Sequence, residues 1–270
     1  MQHSALLNVM IAAARKAARA IKRDFGELEK LQVSLKSPAN FVTAADRRAE
    51  ETIYTELIKA RPGYGFLGEE TGRRDGSDKS HMWIVDPLDG TTNFLHGYPE
   101  YSVSIAIARD GILCAGVVLN VPREDEFTAR RGGGAFLNGK RIHVSALREP
   151  NRSLIGTGFP FKALEKLPQY LQQFSLVMRG TAGIRRAGSA ALDMSNVACG
   201  RFDAFWELVL APWDVAAGVL MVQEAGGIVT DLEGNPPKLT AGSFVAGNPA
   251  MHAWLLQTVR RANMNKEKPE

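Results

Sequence analysis

Trp83-Ile-Val-Asp-Pro-Leu-Asp-Gly-Thr-Thr-Asn-Phe94 joins an apolar run to a polar turn. The apolar residues from Met82 to Val85 predict the end of a buried strand. We expect that strand to stop at Asp86-Pro87, because proline donates no hydrogen bond to a sheet and disfavours helix in the residue before it. Asp89-Gly-Thr-Thr92 is typical of a turn followed by a helix start. The stretch therefore predicts two carboxylates, three residues apart, where a strand ends.

The two carboxylates and the glycine-started turn behind them have complementary chemistry. Carboxylates such as those of Asp86 and Asp89 bind divalent cations, and free N–H groups at a helix start bind phosphate oxygens. A site that offers both within four residues suggests metal-assisted chemistry on a phosphate. The alternative interpretation is that both side chains are ordinary turn and cap residues, as in most Asp-Pro and Asp-Gly pairs.

The composition predicts a soluble globular protein. The chain has 270 residues, of which 45% are hydrophobic and 23% are charged, enough for one large domain or two intimate halves with a sizeable core. The formal net charge is +4, and the basic residues are spread along the chain, so binding to nucleic acid is compatible with the sequence but not required by it. No apolar run approaches the roughly 20 residues of a membrane span.

Two features bear on localisation. Cys114 and Cys199 sit in apolar surroundings without metal-ligand spacing, which predicts reduced core residues in a cytoplasmic protein. Residues 6–21 carry apolar side chains at helical spacing, so we expect the chain to open with an amphipathic helix. Arg15, Lys16 and Arg19 interrupt this stretch, which therefore lacks the apolar centre of a secretory signal. The same stretch faintly resembles a transit peptide, but a helix of the folded domain is the preferred interpretation.

The first half of the chain is predicted to combine two helices with an antiparallel sheet. The second helix is expected to begin at the capping-box spacing of Thr43 and Asp46, so Asp46 by itself is best explained as a cap residue. Strands are expected at 64–67, 82–85, 101–108, 112–119, 126–130 and 142–144, with tight turns at 109–111 and 138–139. Residues 36–41 and 73–80 are predicted to be loops. The glycine-rich residues 131–134 are interpreted as a hairpin connection rather than a P-loop, because no Gly-Lys-Ser/Thr follows them.

After a polar link at residues 145–152, strands and helices alternate, which favours a mixed or parallel sheet covered by helices. Strands are expected at 154–157, 202–206, 228–232 and 244–247, and helices at 163–178, after Ala190 as far as Gly200, at 215–225 and at 249–262. We divide the chain into an N-terminal half, residues 1–147, and a C-terminal half, residues 148–270. The two halves are expected to form one compact unit.

Four acidic positions lie at strand ends or helix starts: Glu69, Asp86, Asp89 and Asp214. Taken singly, Asp214 is typical of a helix cap and Glu69 of a solvated turn. Together they would bring about four negative charges to one place, where each pair at roughly 4 Å costs about 4 kcal/mol at an effective dielectric near 20. Such a cluster requires cations, and oxygen ligands suit Mg²⁺ or Mn²⁺ rather than zinc. Two ions about 3.5–4 Å apart would clamp the attacking water and the leaving oxygen of a phosphate.

Three segments resemble the signatures of the inositol monophosphatase family: Gly68-Glu69-Glu70, Asp86-Pro-Leu-Asp-Gly-Thr-Thr-Asn-Phe94 and Pro212-Trp-Asp-Val-Ala-Ala-Gly218. The resemblance continues through Ser145, Gly188-Ser-Ala190, Asp203 to Glu207 and Glu224-Ala-Gly-Gly227, so it covers nearly the whole chain. Within the family, two stretches are similar to the bacterial SuhB-type branch: Thr157-Gly-Phe-Pro-Phe161 and Arg185-Arg-Ala-Gly-Ser-Ala-Ala-Leu-Asp193.

The resemblance implies a mixed α/β fold, a layered αβαβα sandwich shared with fructose-1,6-bisphosphatases, and usually a homodimer. It implies hydrolysis of phosphate monoesters with two or three Mg²⁺ ions, with Mn²⁺ as an alternative, and inhibition by Li⁺. Inositol 1-phosphate is the preferred substrate. Fructose 1,6-bisphosphate, histidinol phosphate and 3′-phosphoadenosine 5′-phosphate remain alternatives. SuhB-type relatives are associated with RNA polymerase, so a regulator that binds polymerase or RNA is a second alternative.

The resemblance also implies roles for individual residues. Glu69, Asp86 and the Leu88 carbonyl would hold a first metal. Asp86, Asp89 and Asp214 would hold a second, and Glu69 would serve a third through water. Asp46 and Thr91, with Glu69, would be the catalytic residues that position and activate the attacking water.

On the substrate side, the resemblance implies that the N–H groups of Gly90 and Thr91 receive the phosphate. The residues that would face the sugar or inositol are Asp89, Gly188, Ser189, Ala190, Glu207 and Asp214. Two interpretations of Arg185 and Arg186 remain open: a role in phosphate binding, and a role at the surface or at a dimer interface.

Overall fold

Two large sheets, a small two-stranded sheet and three layers of helices make up the part of the chain that the computed structural model describes, residues 5–25, 33–37 and 40–264, with side chains for 5–25 and 44–262. The helices are α1 (Ala5–Phe25), α2 (Ala44–Ala60), α3 (Thr91–Leu95), α4 (Leu167–Gly180), α5 (Ala190–Ala198), α6 (Pro212–Glu224) and α7 (Pro249–Met264). Short 3-10 helices lie at Pro150–Arg152 and Leu164–Lys166.

The strands fall into a two-stranded, an eight-stranded and a five-stranded sheet. Their bounds are β1 (Val33–Ser37), β2 (Asn40–Thr43), β3 (Tyr64–Gly68), β4 (Gly72–Arg74), β5 (Asp78–Asp89), β6 (Ser102–Arg109), β7 (Ile112–Asn120), β8 (Asp125–Arg130), β9 (Gly134–Leu137), β10 (Lys140–Ile142), β11 (Leu154–Thr157), β12 (Gly183–Arg185), β13 (Ala204–Leu210), β14 (Ile228–Thr230) and β15 (Gly242–Gly247). The eight-stranded sheet has the order β10-β9-β8-β7-β6-β5-β3-β4, and only the β3–β5 pair is parallel. The five-stranded sheet, β12-β11-β13-β15-β14, is mixed.

Local sequence accounts for the hairpins of the eight-stranded sheet. Asp110 and Gly111 adopt φ values of 51° and 77°, and Asn138 and Gly139 adopt 50° and 76°. Both pairs therefore have the two left-handed residues that tight hairpins require, which Asn, Asp and Gly tolerate best. The predicted turns at 109–111 and 138–139 are confirmed.

Alternation along β6 shows how the layers stack. Val103, Ile105 and Ile107 pack with α1 and α2, whereas Ala106 and Ala108 pack with α5 and α6. Successive strand residues point to opposite faces of a sheet, so the eight-stranded sheet is covered by helices on both sides.

The five-stranded sheet closes the stack. Phe205 and Ala246 share the core of α5 and α6, while Trp206 and Val245 share the core of α4 and α7. The order of layers is therefore α1/α2, first sheet, α5/α6, second sheet, α4/α7, which confirms the expected αβαβα sandwich. Helix α6 lies in the middle layer and is apolar on every side, as expected for a helix buried between two sheets.

Several predicted elements differ from the structure. Residues 36–41 were expected to form a loop, but β1 and β2 pair there, with residues 38–39 outside the described part. The second predicted loop, residues 73–80, is limited to residues 75–77: β4, which ends at Arg74, pairs with β3 at the edge of the sheet, and β5 begins at Asp78. An edge strand has one side open to water, so its polar sequence gives no sign of pairing.

The other differences concern short strands. The strand expected at 142–144 ends at Ile142, because β10 pairs instead with β9, which the sequence did not predict; strand β12 was missed as well. Strand β5 continues to Asp89 instead of stopping at Asp86-Pro87, with irregular pairing to β6 between Asp86 and Asp89. Proline is tolerated inside a sheet at such a bulge.

Other expectations concern the whole chain. The proposed boundary between residues 147 and 148 lies in the segment that joins the two sheets, and the division into halves stays a prediction. No helix among the described residues is long and apolar enough to cross a membrane. Cys114 and Cys199 are free thiols, and both are half-buried rather than fully buried as expected for core residues.

Candidate active site

The ends of β3 and β5 and the starts of α3, α5 and α6 surround one small cavity of about 140 Å³, here called the acidic cavity. It is lined by Glu69, Asp86, Leu88, Asp89, Gly90, Thr91 and Asp214, together with Thr92, Lys162, Arg186 and Gly188. The structure therefore brings together all the predicted metal ligands, although they come from both halves of the chain.

Asp86 is the most enclosed of these carboxylates, with 1% of its surface exposed. Its Oδ1 accepts a hydrogen bond from Leu88 N–H at 3.0 Å, which fixes the bulge around Pro87. Burial raises the pKa of Asp86 well above its usual value, and the nearby charges of Glu69, Asp89 and Asp214 raise it further. A bound cation would therefore stabilise the ionised form of the Asp86 carboxyl group.

Asp89 is held by the other half of the chain. Its Oδ2 accepts hydrogen bonds from Ser189 Oγ at 2.6 Å and from Ala191 N–H at 2.8 Å, both at the start of α5. Burial raises the pKa of Asp89 to about 6, although these two hydrogen bonds act in the opposite direction. No hydrogen bond to Oδ1 forms within the described ranges, so that oxygen is available to a ligand.

Asp214 serves the start of α6 and the cavity at once. Its Oδ2 accepts a hydrogen bond from Ala211 N–H at 2.6 Å, as in one half of a capping box. Asp214 is thus the third helical residue and not the N-cap itself, which is Ala211. Burial raises its pKa to about 7; Lys162 opposes this, and the charges of Asp89 and Glu69 add to it.

Glu69 follows β3 in a turn that another buried carboxylate holds in place. Glu50 on α2, 1% exposed, accepts hydrogen bonds from Glu70 N–H and Thr71 N–H, each at 2.9 Å. Gly68 has to be glycine here, because a Cβ would lie 2.4 Å from Glu50 Oε2. The role of Glu50 could not be predicted from the sequence, because nothing in the pattern of α2 distinguishes it from a surface glutamate.

Asp46 and Thr91 form the predicted catalytic pair. Thr91 Oγ1 lies 2.9 Å from Asp46 Oδ1 and 3.1 Å from the Leu88 carbonyl oxygen, as donor to both. Asp46 is 1% exposed and lies on the first turn of α2, so the same residue helps to begin a helix and holds the threonine hydroxyl.

Gly90 turns the chain into α3. Its φ of 98° lies in the left-handed region, and a Cβ would stand 3.0 Å from the Glu100 carbonyl. The first N–H groups of a helix have no acceptor within it, and Gly90, Thr91 and Thr92 at this helix start all line the acidic cavity. Asn93 fixes this turn against the second half of the chain, since its Nδ2 donates to the carbonyls of Glu100 and Ala187 at 2.6 and 2.8 Å.

A second space of about 140 Å³ adjoins the first and is here called the substrate cavity. Its lining includes Asp89, Gly188, Ser189, Ala190, Glu207 and Asp214, and also Asp193 and Lys162. Burial raises the pKa of Glu207 to about 8, with further contributions from Asp214 and Asp89. Gly158 packs directly against this carboxyl group, because a Cβ there would lie 2.0 Å from Glu207 Oε1.

The strand that carries Glu207 is strained beside it. Val209 has a φ of 60°, a genuine outlier for a β-branched residue, and the pairing of β13 with β15 is irregular between Glu207 and Leu210. Strain of this kind costs on the order of 1–3 kcal/mol and is concentrated at functional sites.

A larger cavity of about 630 Å³ lies elsewhere, between α1 and strands β7 and β8. Its lining includes two ion pairs, Arg15 with Glu126 at 2.7 Å and Lys22 with Glu124. None of the four acids at strand ends and helix starts lines it, so the smaller pair of cavities is the candidate site.

Known proteins with the same sequence pattern decide the family. The sequence model of the inositol monophosphatase family matches residues 2–264. The chain belongs to the inositol monophosphatase family. The inositol-1-monophosphatase of Mesorhizobium japonicum is 51% identical over 97% of this chain and 98% of its own length. The Nus factor SuhB of Pseudomonas aeruginosa is 47% identical over 94% of this chain and 96% of its own.

A solved structure has the same fold as this chain. The extragenic suppressor protein suhB of Bartonella henselae has a TM-score of 0.93 and 50% sequence identity to this chain, covering 96% of it and 99% of the solved chain. The predicted resemblance to this family, its SuhB-type branch included, is confirmed, and so is the fold class.

Members of the inositol monophosphatase family are generally metal-dependent, and the donor set of the acidic cavity fits a divalent cation. The carboxylates and the Leu88 carbonyl are all oxygen donors, as Mg²⁺ and Mn²⁺ prefer, and they face one another without enough positive charge. Among the residues described, no three acidic, histidine or cysteine side chains are grouped closely enough to form a ready-made metal cage.

Two basic residues, Arg186 and Lys162, line both cavities in addition to the acids. Arg186 lies over the rings of Phe159 and Phe161, at 5.5 and 5.2 Å from their centroids, and lines both cavities. Arg185 instead points its guanidinium to the exposed carbonyl of Ile184. Arg186 therefore lines the candidate site, whereas Arg185 lines neither of its two cavities.

Lys162 follows strand β11 and also lines both cavities. Burial alone would lower its pKa, but the carboxylates of Asp214, Glu69, Asp86 and Asp89 outweigh burial and raise it. Its side chain stays accessible to solvent, so this attraction is partly screened. It stands five residues after β11 ends at Thr157, and nothing in the local sequence indicates that it faces the acids.

Replacing Lys162 by methionine should tighten the binding of Mg²⁺ severalfold, because the ammonium group and the cation compete for the same carboxylates. Isothermal titration calorimetry of the protein with MgCl₂ measures the change. Lys166→Met is the matched control, since Lys166 is an exposed lysine in the same segment that does not line the acidic cavity. Unchanged or weaker Mg²⁺ binding by Lys162→Met would show that the lysine does not oppose the metal.

Proposed function

We propose that this protein hydrolyses phosphate monoesters with the help of Mg²⁺, and that inositol 1-phosphate is its substrate. One observation carries the proposal: the cavity lined by four carboxylates is also lined by Gly90 and Thr91, at the start of α3. Carboxylates call for cations, and the N–H groups suit phosphate oxygens. The relatives named inositol-1-monophosphatase support the choice of substrate.

The proposed metal ligands are Glu69, Asp86, Leu88, Asp89 and Asp214, and the number of ions is two or three. When bound, divalent cations lower the pKa of water and neutralise charge on the phosphate. Mn²⁺ is the alternative ion, because it shares the preference of Mg²⁺ for oxygen ligands.

Thr91 and Asp46 are proposed to position the attacking water. Because Thr91 Oγ1 donates a hydrogen bond to Asp46, the lone pairs of the hydroxyl oxygen are free to accept a hydrogen bond from water. Asp46, in turn, can take up the proton as the water attacks phosphorus in line. Glu69, at the turn after β3, holds the water from the other side. This arrangement makes positioning and charge neutralisation the main sources of catalysis.

The residues of the substrate cavity are proposed to hold the alcohol part of the ester. Glu207 and Ala190 face it from the second half of the chain, with Gly188 and Ser189 between them and the phosphate. Asp89 and Asp214 line both cavities, which places them where the phosphate and the alcohol meet. Such a site favours a small polyol over a large nucleotide.

A panel of phosphate esters tests the proposal. Phosphate release is measured with Mg²⁺, with and without Li⁺, from inositol 1-phosphate, fructose 1,6-bisphosphate, histidinol phosphate, 3′-phosphoadenosine 5′-phosphate and 2′-AMP. We expect inositol 1-phosphate to be hydrolysed fastest and Li⁺ to inhibit the reaction. A preference for another ester would keep the mechanism and change the substrate. The absence of Mg²⁺-dependent release from every ester would refute the hydrolase.

A second candidate function is suggested by the relatives named Nus factor SuhB. A cavity of about 260 Å³ near β12 is lined by Arg123, Arg185, Arg186 and Arg201, and by Glu100. Arg123 pairs with Glu100 and Arg201 with Asp125, each at 3.1 Å. Arg185 and Arg186 would therefore be the residues that suit an RNA backbone or an acidic surface of RNA polymerase. Salt-sensitive RNA or polymerase binding by a variant without phosphatase activity would support this role. We also propose a homodimer, which sedimentation equilibrium would test.

A further inference from the structure

Asp193 occupies the inner wall of the substrate cavity. It lies one turn after Ala190 on α5, and residues three apart share one face of a helix. Both line this cavity, with Glu207 on the neighbouring strand. Asp193 is 1% exposed, so almost all of its contact is with protein or with whatever fills the cavity.

The carboxyl group of Asp193 lacks the partners that buried carboxyl groups normally have. Its Oδ1 is fully buried without a hydrogen bond, and no hydrogen bond reaches the other oxygen within the described part of the chain. Asp203, also buried, shows the usual situation: it accepts from Ser145 Oγ at 2.6 Å and from Leu154 N–H at 2.8 Å. An unpaired buried polar group destabilises a fold, so Asp193 contributes nothing evident to the structure.

The surroundings of Asp193 affect the pKa of its carboxyl group. Burial raises its pKa well above the usual value, and Glu207 and Asp89 add to the effect, whereas Arg186 opposes it. A protonated carboxyl group both donates and accepts hydrogen bonds. Asp193 and Glu207 line the same cavity, and a carboxyl group accepts hydrogen bonds from hydroxyl groups in either protonation state, so the pair suits neutral hydroxyl groups better than a second anion.

We propose that Asp193 is a specificity-determining residue that forms hydrogen bonds with a hydroxyl group of the substrate alcohol, beside Glu207. The inference rests on the phosphatase function proposed above. It narrows the substrates to phosphate monoesters of polyols, including cyclitols, and disfavours esters of alcohols without further hydroxyl groups.

Two esters with the same ring test the proposal: inositol 1-phosphate and cyclohexyl phosphate, which lacks the ring hydroxyls. We expect Asp193→Ala to lower kcat/KM for inositol 1-phosphate about tenfold or more and to leave cyclohexyl phosphate within about threefold. Asp193→Ser, whose hydroxyl is too short to reach the ligand, should behave like Asp193→Ala. Asp193→Asn should keep the preference, because an amide also donates and accepts.

The melting temperature is the readout that separates this role from a structural one. Removal of an unpaired buried carboxyl group should leave it unchanged or raise it, whereas loss of a structural residue would lower it. Equal losses with both esters, or no loss with either, would overturn the proposal. Mg²⁺-dependent hydrolysis of either ester by the unchanged protein would support the phosphatase function whatever the Asp193 variants do. The phosphatase function and the role of Asp193 are therefore tested by different measurements.

Discussion

Asp89→Asn should lower kcat/KM for inositol 1-phosphate at least about a hundredfold while leaving the fold intact. The change removes one of the negative charges around the cation, and a cation contributes several kcal/mol of transition-state stabilisation, with each 1.36 kcal/mol worth a factor of ten in rate. The amide oxygen of the new residue can still accept from Ser189 Oγ and Ala191 N–H, which hold Asp89. Phosphate release at saturating Mg²⁺ measures the effect.

The control is Asp110→Asn, in the exposed turn between β6 and β7. Asp110 has a φ of 51°, a conformation that Asn adopts readily, so activity and melting temperature should both stay near those of the unchanged protein. The melting temperature of Asp89→Asn without metal should not fall, because the substitution removes a buried charge that other carboxylates repel. An Asp89→Asn protein that retains most of its activity would contradict the assignment of Asp89 to the metal site.

Mg²⁺ should raise the melting temperature by about 5 °C near pH 8 and by clearly less near pH 5.5. A ligand at 100 times its Kd stabilises a fold by about 2.7 kcal/mol, and a chain of this length gains roughly 2 °C for each kcal/mol. The ion needs ionised ligands, so protons compete with it at low pH.

The direction of the pH effect follows from the raised pKa values. In the metal-free protein the pKa of Asp89 is about 6 and that of Asp214 about 7, against 3.8 for an ordinary aspartate. Between pH 4 and pH 7 the folded state therefore holds protons that the unfolded state has released. Stability falls as pH rises wherever the folded state binds more protons. The metal-free protein should lose stability over this range, and Mg²⁺ should restore it.

Thermal melts at pH 5.5 and pH 8, with and without millimolar MgCl₂, check this expectation. Asp214→Asn is the matched site variant, and it should show a smaller gain from Mg²⁺ at pH 8 and a flatter pH dependence without metal. Asp110→Asn should behave like the unchanged protein. Identical melting curves with and without Mg²⁺ at pH 8 would contradict the binding of the ion by these carboxylates.

Local chemistry explains why so much could be predicted from the sequence. An Asp-Gly or Asn-Gly pair at residues 110–111 and 138–139 makes a hairpin, because few other residues tolerate left-handed backbone. The apolar run before Asp86 requires a buried strand, and the glycine at position 90 requires a turn. These features determined the main strands and helices, the position of the motif and, through the family signatures, the residues around the acidic cavity.

Weak local signals were the reason for the errors. Strands β4 and β12 have three residues each and lie at sheet edges, where polar side chains and short length conceal the pairing. Strand β5 runs through Pro87 because a bulge removes the need for its missing N–H group. In each case the neighbouring strand, not the segment itself, decides the structure.

The sequence by itself determined the hairpin turns and the buried strand that leads to Asp86, because each depends on residues close together in the chain. The fold class followed from the family signatures that are spread along the chain. Only the tertiary structure decided that Ser189 and Ala191, a hundred residues away, hold Asp89, and that Glu50 supports the turn of Glu69. It also decided that Asp193 faces the substrate cavity without a partner. Contacts between distant segments leave no periodicity or turn signal in the sequence, since they arise only when the two sheets pack around the middle helices.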